Sequence, residues 1–211
     1  MKAKKLKALT QKTIEKNTSP VRRIWGSSAL TSELKPRIGS IAILDRLLAD
    51  YAVLSTQALS LHWNLRGPEF ISCHAFFEKR YHKLNQRMDE IAERLRAIGV
   101  SAPAGFSEWL ELSNIEELPL SLFEKKVRLN GAPESLSEHP VFVYLERERQ
   151  VRDSILHTAI PRAQEVNDAV TEEILVSCLK EQDKTIWMLA SLFHTIDDEE
   201  SSVKAPQKGA A

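Results

Sequence analysis

The most informative part of the chain is residues 61–99, which read LHWNLRGPEFISCHAFFEKRYHKLNQRMDEIAERLRAIG. From Phe77 to Ile98 the apolar residues recur in alternating steps of four and three, the spacing of a helix that packs into a bundle. A Gly-Pro pair at 67–68 predicts a loop before this helix, and Gly99 predicts its end. The segment therefore predicts a helix over about 69–98, joined by a short loop to the end of an earlier helix.

Three further long helices are predicted outside this segment. The apolar patterns place them over about 36–64, from about Pro140 onward, and over about 169–195. Pro161 is expected to kink or end the second of these. The glycines and prolines of residues 100–138 indicate a long crossover, interrupted by a short helix near 107–112. Four long helices with one long crossover predict an all-α, ferritin-like four-helix bundle.

Charge divides the chain into an arm and a body. The net charge is zero, but residues 1–23 hold eight Lys and Arg against Glu15 alone, which leaves 21 basic and 28 acidic groups in the rest. We expect a disordered basic arm over 1–30, the bundle over 31–196 and a flexible tail over 197–211. The arm either contacts the phosphates of double-stranded DNA or is a solvated tail that aids solubility. The candidate DNA contacts are Lys2, Lys4, Lys5, Lys7, Lys12 and Lys16.

Composition narrows the class of protein. A chain of 211 residues and 23.9 kDa with 43% apolar residues can build one sizeable core. Its sequence holds no run of about 18–20 apolar residues, so no membrane association is predicted. The N-terminus lacks the apolar stretch of a secretory signal, which favours the cytoplasm. In that compartment Cys73 and Cys178 are expected to be buried thiols rather than a disulfide.

Two histidines and three carboxylates close together in the sequence form a candidate metal site. Imidazole combined with carboxylate is a ligand mixture that suits iron or a similar divalent metal. Four of these residues form two pairs with a spacing of four, His74 with Glu78 and Asp89 with Glu93, so each pair lies on one face of a helix. The five candidate ligands are His62, His74, Glu78, Asp89 and Glu93.

The two pairs lie 15 residues apart, about 22 Å along a helix axis, so one copy of the helix cannot bring both to one metal. Either they are ordinary surface pairs, with Lys79 and Arg80 near Glu78 and with Arg94 and Arg96 near Glu93, or two chains meet antiparallel and each completes the other's site. On a wheel of about 100° per residue, all four side chains flank the apolar seam on one side. No histidine has a glutamate three residues before it, so the usual di-iron motif inside one bundle is missing, which favours the interface.

The same residues resemble the Dps family, the mini-ferritins known as DNA-binding proteins from starved cells. The similar elements are His-Trp-Asn at 62–64, Arg-Gly-x-x-Phe at 66–70, the second histidine twelve residues after the first, and Met-Asp-Glu-Ile-Ala-Glu-Arg at 88–94. The resemblance extends over about 36–112 and resumes over about 169–193.

The resemblance implies a hollow homododecamer that oxidises Fe(II), preferentially with hydrogen peroxide, and stores the ferric mineral. It implies ferroxidase sites at the two-fold interfaces, with His62, His74 and Glu78 from one subunit and Asp89 and Glu93 from its partner. Glu78 stands where the family often has Asp. The protein would then protect DNA from oxidative damage in the cytoplasm, associated with the nucleoid if it binds DNA. Zn²⁺ and Mn²⁺ are expected competitors for iron.

Three other residues have two interpretations each. Trp63 resembles the family's aromatic residue beside the site, which can quench radicals, or it simply packs at the interface. Asp168 and Glu173 either line a pore that attracts cations or complement the positive end of a helix dipole. Two other functions remain open: a nucleoid-binding protein that protects DNA physically through its arm, and a shell that has lost catalysis.

Overall fold

A computed structural model of the protein describes residues 38–124 and 138–193. All regular secondary structure in these two ranges is helical. The elements are α1 (Ile38–Asn64), α2 (Phe70–Ala97), α3 (Phe106–Leu112), a 3-10 turn (Leu120–Glu124), α4 (Pro140–Ser154), a π-helical turn (Ile155–Ala159), α5 (Ile160–Glu165) and α6 (Ala169–Ala190). The predicted arm over 1–30, its lysines and the predicted tail over 197–211 lie outside the described residues.

Four long helices pack around one apolar core. The helices α1 and α2 form a hairpin, α4, the π turn and α5 follow one another as the third long helix, and α6 is the fourth. Each of them contributes fully buried apolar side chains, including Leu44, Tyr51, Phe77, Leu84, Ile91, Tyr144, Leu175 and Leu189. The predicted four-helix bundle, with a crossover that contains the short helix α3, is confirmed.

The end of α2 is fixed by Gly99. This residue has φ of 90°, a left-handed conformation that glycine adopts without steric strain. The N–H of Gly99 donates to the carbonyl of Arg96 at 3.0 Å, and the N–H of Val100 donates to the carbonyl of Leu95 at 3.1 Å. This pair of hydrogen bonds is the Schellman motif, which satisfies carbonyls at a helix end.

The third long helix passes through Pro161 instead of ending there. Proline has no N–H to donate and its ring collides with the carbonyl four residues earlier, so a regular α-helix cannot continue through it. The helix widens into a π turn just before Pro161, where the N–H of Ile160 donates to the carbonyl of Ile155, five residues back. The helix then continues to Glu165. Of the two predicted outcomes, a kink or an end, the end does not occur at Pro161, and the π-helical turn is the local distortion of the helix.

The polar centre of the bundle is a buried ion pair between α2 and α4. The guanidinium of Arg80 donates to both carboxylate oxygens of Glu148, at 2.7 and 2.8 Å, and these side chains are 4% and 0% exposed. It also donates to Glu181 at 2.8 Å and to Gln182, both on α6. Burial by itself would lower the pKa of Arg80, but the charge of Glu148 and these hydrogen bonds raise it. Arg80 thus neutralises the buried Glu148 and also pairs with Glu181.

The crossover is tied to α1 by polar side chains. The Asp50 carboxylate accepts hydrogen bonds from the Ser113 hydroxyl at 2.8 Å and from the Asn114 N–H at 2.7 Å. The Gln57 amide donates to the carbonyl of Glu116 at 2.7 Å. These contacts hold the segment after α3 against the middle of α1.

Both cysteines, Cys73 and Cys178, are buried free thiols, as predicted. Within the described ranges, no helix is both long enough and apolar enough to cross a bilayer.

Candidate metal centre

Two histidines face each other across the α1–α2 loop. His62 lies in the last turn of α1 and His74 in the first turns of α2. Their rings are stacked, with centroids 3.8 Å apart and planes inclined by 19°. The Nδ1 atom of His62 lies 3.0 Å from the carbonyl oxygen of His74, and the Nδ1 atom of His74 lies 2.8 Å from the carbonyl oxygen of His62. Each imidazole is therefore held by the backbone of the other.

This reciprocal arrangement fixes the tautomer of both rings. A carbonyl oxygen can only accept a hydrogen bond, so each Nδ1 carries the proton and donates it. In the neutral imidazole the lone pair then lies on Nε2. Metal-binding histidines in proteins are oriented in this way, with the second ring nitrogen donating to a carbonyl or carboxylate. His62 and His74 are therefore preorganised as two Nε2 donors side by side.

The bonds also complete the end of α1. The last four carbonyls of an α-helix have no partner within the helix. The carbonyl of His62 is one of these, because α1 ends at Asn64. The His74 side chain supplies its hydrogen bond, so the same contact that terminates α1 orients the ring.

Two aromatic rings enclose the histidine pair. Phe70 packs on His74 with ring centroids 5.1 Å apart, and Tyr81 meets the ring of His62 edge to face at 5.6 Å. These contacts leave His62 and His74 half-buried, with an apolar wall on the α2 side. Such walls restrict rotation of the rings and keep their donors in place.

The three predicted carboxylates lie exposed on α2. Glu78 is one turn after His74, and Asp89 and Glu93 form the second pair further along the helix. Among the described residues, none forms a hydrogen bond or ion pair with any of these three side chains. All three carboxylates are therefore available to a cation or to a second molecule.

The arginines beside these carboxylates bind elsewhere. Arg80, two residues after Glu78, turns into the bundle to Glu148, as described above. Arg94, next to Glu93, donates to Asp168 and to the Thr171 hydroxyl on the far side of the helix. Arg80 and Arg94 therefore do not neutralise Glu78 and Glu93, and the alternative of ordinary surface pairs keeps only Lys79 and Arg96 as neighbouring cations.

One chain brings together only part of the predicted ligand set. His62 and His74 are in contact and Glu78 is adjacent, but Asp89 and Glu93 lie on the same straight helix, about 22 Å from the first pair. Among the described residues, no three His, Cys, Asp or Glu side chains converge on a point where they could hold one metal ion. The site defined by these residues is incomplete in a single copy.

Large apolar side chains are exposed near the histidines. Trp63 follows His62 and is 66% exposed, and Ile71, at the start of α2, is 75% exposed. An exposed tryptophan and isoleucine beside unpaired carboxylates are typical of a surface that another protein covers. The predicted radical-quenching role of Trp63 stays a prediction.

The structure gives Asp168 a role different from the predicted pore. Asp168 is the N-cap of α6, is buried, and accepts hydrogen bonds from Ser40 at 2.8 Å and from the Thr171 hydroxyl at 2.7 Å, in addition to Arg94. Burial by itself would raise the pKa of Asp168, but these hydrogen bonds and the Arg94 charge lower it. Its oxygens are engaged inside the chain, which argues against a pore lining. Glu173 is exposed, and its pore role stays a prediction.

Sequence reasoning missed two residues that shape this region. Tyr81 packs against the core as a member of the apolar seam, as predicted, but its contact with His62 was not predicted. Its position seven residues after His74, two helical turns along the same side, was the available signal. Arg80 was regarded as a neighbour of Glu78, but it lies three residues after Phe77 and four before Leu84, both buried, which is a core spacing.

A four-helix bundle with a long crossover between its second and third long helices has the architecture of a ferritin-like protein. The family model of the ferritin-like domain matches residues 41–198, and the chain belongs to the Dps family within this class.

Similar proteins support this assignment. The "DNA protection during starvation protein 2" of Bacillus anthracis is 30% identical over 154 residues, which is 73% of this chain and 96% of that protein. The X-ray structure of Dps from Listeria monocytogenes matches with a TM-score of 0.62 and 26% identity, over 72% of this chain and 91% of that chain. Dps of Vibrio cholerae, described as a member of a broad superfamily of ferritin-like diiron-carboxylate proteins, matches with a TM-score of 0.55 and 26% identity, over 76% and 92%.

Proposed function

We propose that this protein oxidises Fe(II) with hydrogen peroxide at sites shared by two copies of the chain and stores the ferric product in a hollow homododecamer. The observation that carries the proposal is the reciprocal pair of His62 and His74, which presents two oriented Nε2 donors at a surface. Membership in a family with ferritin-like diiron-carboxylate relatives supports the same chemistry.

The ligands divide between two chains. His62, His74 and Glu78 of one copy supply nitrogen and oxygen donors, and Asp89 and Glu93 of a second copy supply the remaining carboxylates. An antiparallel crossing of two α2 helices about a two-fold axis brings these sets together twice, because a contact made by one chain is repeated by the other. The exposed Trp63 and Ile71 would be covered in such a pair.

The ligand types suit the redox step. Carboxylate oxygens bind Fe(II) and bind the harder Fe(III) more strongly, so they favour oxidation of the bound ion. Two Fe(II) ions deliver two electrons to one peroxide molecule; with two waters they yield two FeO(OH) and four protons. Both electrons reach the same peroxide, so its O–O bond breaks without release of hydroxyl radical. This consumption of peroxide and Fe(II) would protect DNA from oxidative damage.

Removal of the histidine donors tests the site. In a His62→Ala, His74→Ala double variant, peroxide-dependent formation of the ferric product should be lost while the assembly keeps its size. His157→Ala is the matched control, since His157 is an exposed histidine on another helix. Absorbance of the ferric product reports the rate, and light scattering after size exclusion reports the assembly. Oxidation at the wild-type rate by the intact double variant would disprove the assignment.

Metal competition follows from the same donors. Imidazole and carboxylate also bind Zn²⁺, which generally binds such ligands more tightly than Fe(II), and Mn²⁺, which binds them less tightly. We expect Zn²⁺ to inhibit the oxidation at lower concentration than Mn²⁺.

A second function is favoured by charge. Residues 1–23 hold eight basic groups and one acidic group, and the Bacillus anthracis relative is named for DNA protection. We propose that this arm contacts DNA phosphates. Deletion of residues 1–23 should abolish retardation of duplex DNA in a gel at low salt, and added salt should weaken retardation by the full-length protein. Equal retardation by both forms would assign DNA binding to the body of the shell.

A further inference from the structure

A third histidine extends the row of donors on α2. His82 lies one helical turn after Glu78, which itself lies one turn after His74, so the three residues repeat with a spacing of four. Side chains four residues apart lie on one helix face and can bind one ion together, as the two histidines of the H-E-x-x-H motif do. Glu78 can therefore pair with His74 in one direction or with His82 in the other.

Ring contacts connect His82 to the histidine pair. The ring of Tyr81 lies 4.3 Å from that of His82 and 5.6 Å from that of His62, measured between centroids. His62 and His82 thus lie against the same tyrosine, although they are on different helices. Tyr81 therefore connects His82 to the histidine pair.

The polar atoms of Glu78 and His82 are not used by the fold. Glu78 and His82 are exposed, and among the described residues neither side chain takes part in a hydrogen bond or ion pair. Lys83, next to His82, lies 4.0 Å from Glu181 on α6, so its charge is directed away from Glu78. The Glu78 carboxylate and the His82 imidazole, one helical turn apart, are therefore both exposed to solvent.

The antiparallel pairing proposed above determines what faces them. In this pairing Glu78 lies opposite Asp89 of a second copy. The midpoint between Glu78 and His82 along the α2 axis is two residues from Glu78, so it is displaced by about 3 Å along the axis from Asp89 of that copy. The side chain of Gln86, also exposed, is at the same level. A second copy therefore adds one carboxylate and one amide oxygen to the two donors of the first.

We propose that Glu78 and His82 form a second divalent-cation position beside the iron-oxidation site, completed by Asp89 of a second copy. This proposal rests on the proposed function, because it uses the same pairing of chains. The position shares Glu78 with the oxidation site, so a cation bound there would lie about one helical turn from that site. Its donors, one imidazole with oxygen ligands, suit Fe(II), Co(II) and Zn(II).

Cobalt binding tests the proposal without any iron oxidation. The full-length assembly is titrated with Co(II) alone, and the number of bound ions per chain is measured by equilibrium dialysis, with visible absorption as a second readout. We expect two classes of site in the wild type. His82→Ala should lose the weaker class and keep the tighter one, and the matched control His157→Ala should bind as the wild type does.

Two more variants separate the positions. His74→Ala should lose the tighter class and keep the class that depends on His82. Glu78→Gln should weaken both, since the two positions share this carboxylate. The proposal is overturned if His82→Ala binds as many Co(II) ions as the wild type, or if the wild type has a single class of site. Failure of the proposed function is a different result, namely unchanged Fe(II) oxidation in the His62→Ala, His74→Ala variant.

Discussion

Two inactive variants of this chain should restore each other's iron oxidation when they assemble together. His74→Ala removes a donor from the histidine half of the site, and Glu93→Ala removes one from the carboxylate half. If the site is shared between chains, each variant alone has only defective sites. In a mixed pair, the histidines of the Glu93→Ala chain meet the carboxylates of the His74→Ala chain, and that site has every ligand.

The expected recovery follows from counting sites. With equal amounts of the two chains and random pairing, about half of the two-fold interfaces are mixed. Each mixed interface has two sites, one complete and one carrying both substitutions, so about one quarter of all sites are complete. If every ligand came from the same chain, mixing would produce no complete site. The separation of about 22 Å along α2 between the two ligand pairs is the reason to expect the first result.

Co-expression with two different affinity tags provides the mixed assembly, and purification on both tags in succession removes the unmixed ones. The measurement is the initial rate of peroxide-dependent Fe(II) oxidation per chain. A control assembly of His157→Ala with Glu93→Ala should reach about half of the wild-type rate, since only the carboxylate half limits it. A mixed His74→Ala and Glu93→Ala assembly that is as inactive as its parents, while the control is active, would refute the shared site.

Three further predictions concern the fold, each measured by urea unfolding at fixed protein concentration. Burial raises the pKa of Asp50 from 3.8 to about 6, so its stabilising contribution is fully present below pH 3.8 and is lost as the pH rises through about 6. Relative to Asp50→Asn, wild type should lose on the order of 3 kcal/mol over that range, since the other acids titrate in both proteins; equal pH profiles would contradict this. Arg80→Ala should cost about 3–5 kcal/mol by stranding a buried carboxylate, against less than about 1 kcal/mol for the exposed Arg149→Ala, and similar losses would argue against the buried pair. Gly99→Ala should cost about 1–2 kcal/mol because of its φ of 90°, whereas Gly105→Ala, at φ of −99°, should not.

The helices were predictable because they are long and strongly periodic. The seam from Phe77 to Ile98 and the stop at Gly99 located α2 to within one residue at each end. The π turn before Pro161 was not predicted. A proline in an apolar pattern signals disruption, but the sequence does not show whether the backbone ends the helix or widens by one residue to pass it.

The candidate site was predictable as a set of residue types and only partly as geometry. A spacing of four puts His74 beside Glu78 on any helix, so that pair needed no tertiary information. The bonds between His62 and His74 depend on how the loop over 65–69 closes, which spacing along the chain does not specify. Asp168 shows a different limit of the sequence. An acidic residue just before a helix fits either a pore lining or a helix cap, and only the hydrogen bonds from Ser40 and Arg94 show that Asp168 caps α6.

The contrast between Glu78 and Arg80 explains why the candidate metal ligand Glu78 lies on the surface of this chain. Side chains two positions apart on a helix point in directions that differ by about 200°. Because Arg80 points to the core, Glu78 points away from it. Inside, Arg80 neutralises Glu148 and Glu181, and those acids are no longer free to bind a cation. Outside, Glu78 is exposed, and Arg80 is not available to pair with it. Under the proposed function, the same turn of α2 would therefore keep metal out of the interior of the bundle and offer Glu78 to it on the face where another copy of the chain would supply the missing ligands.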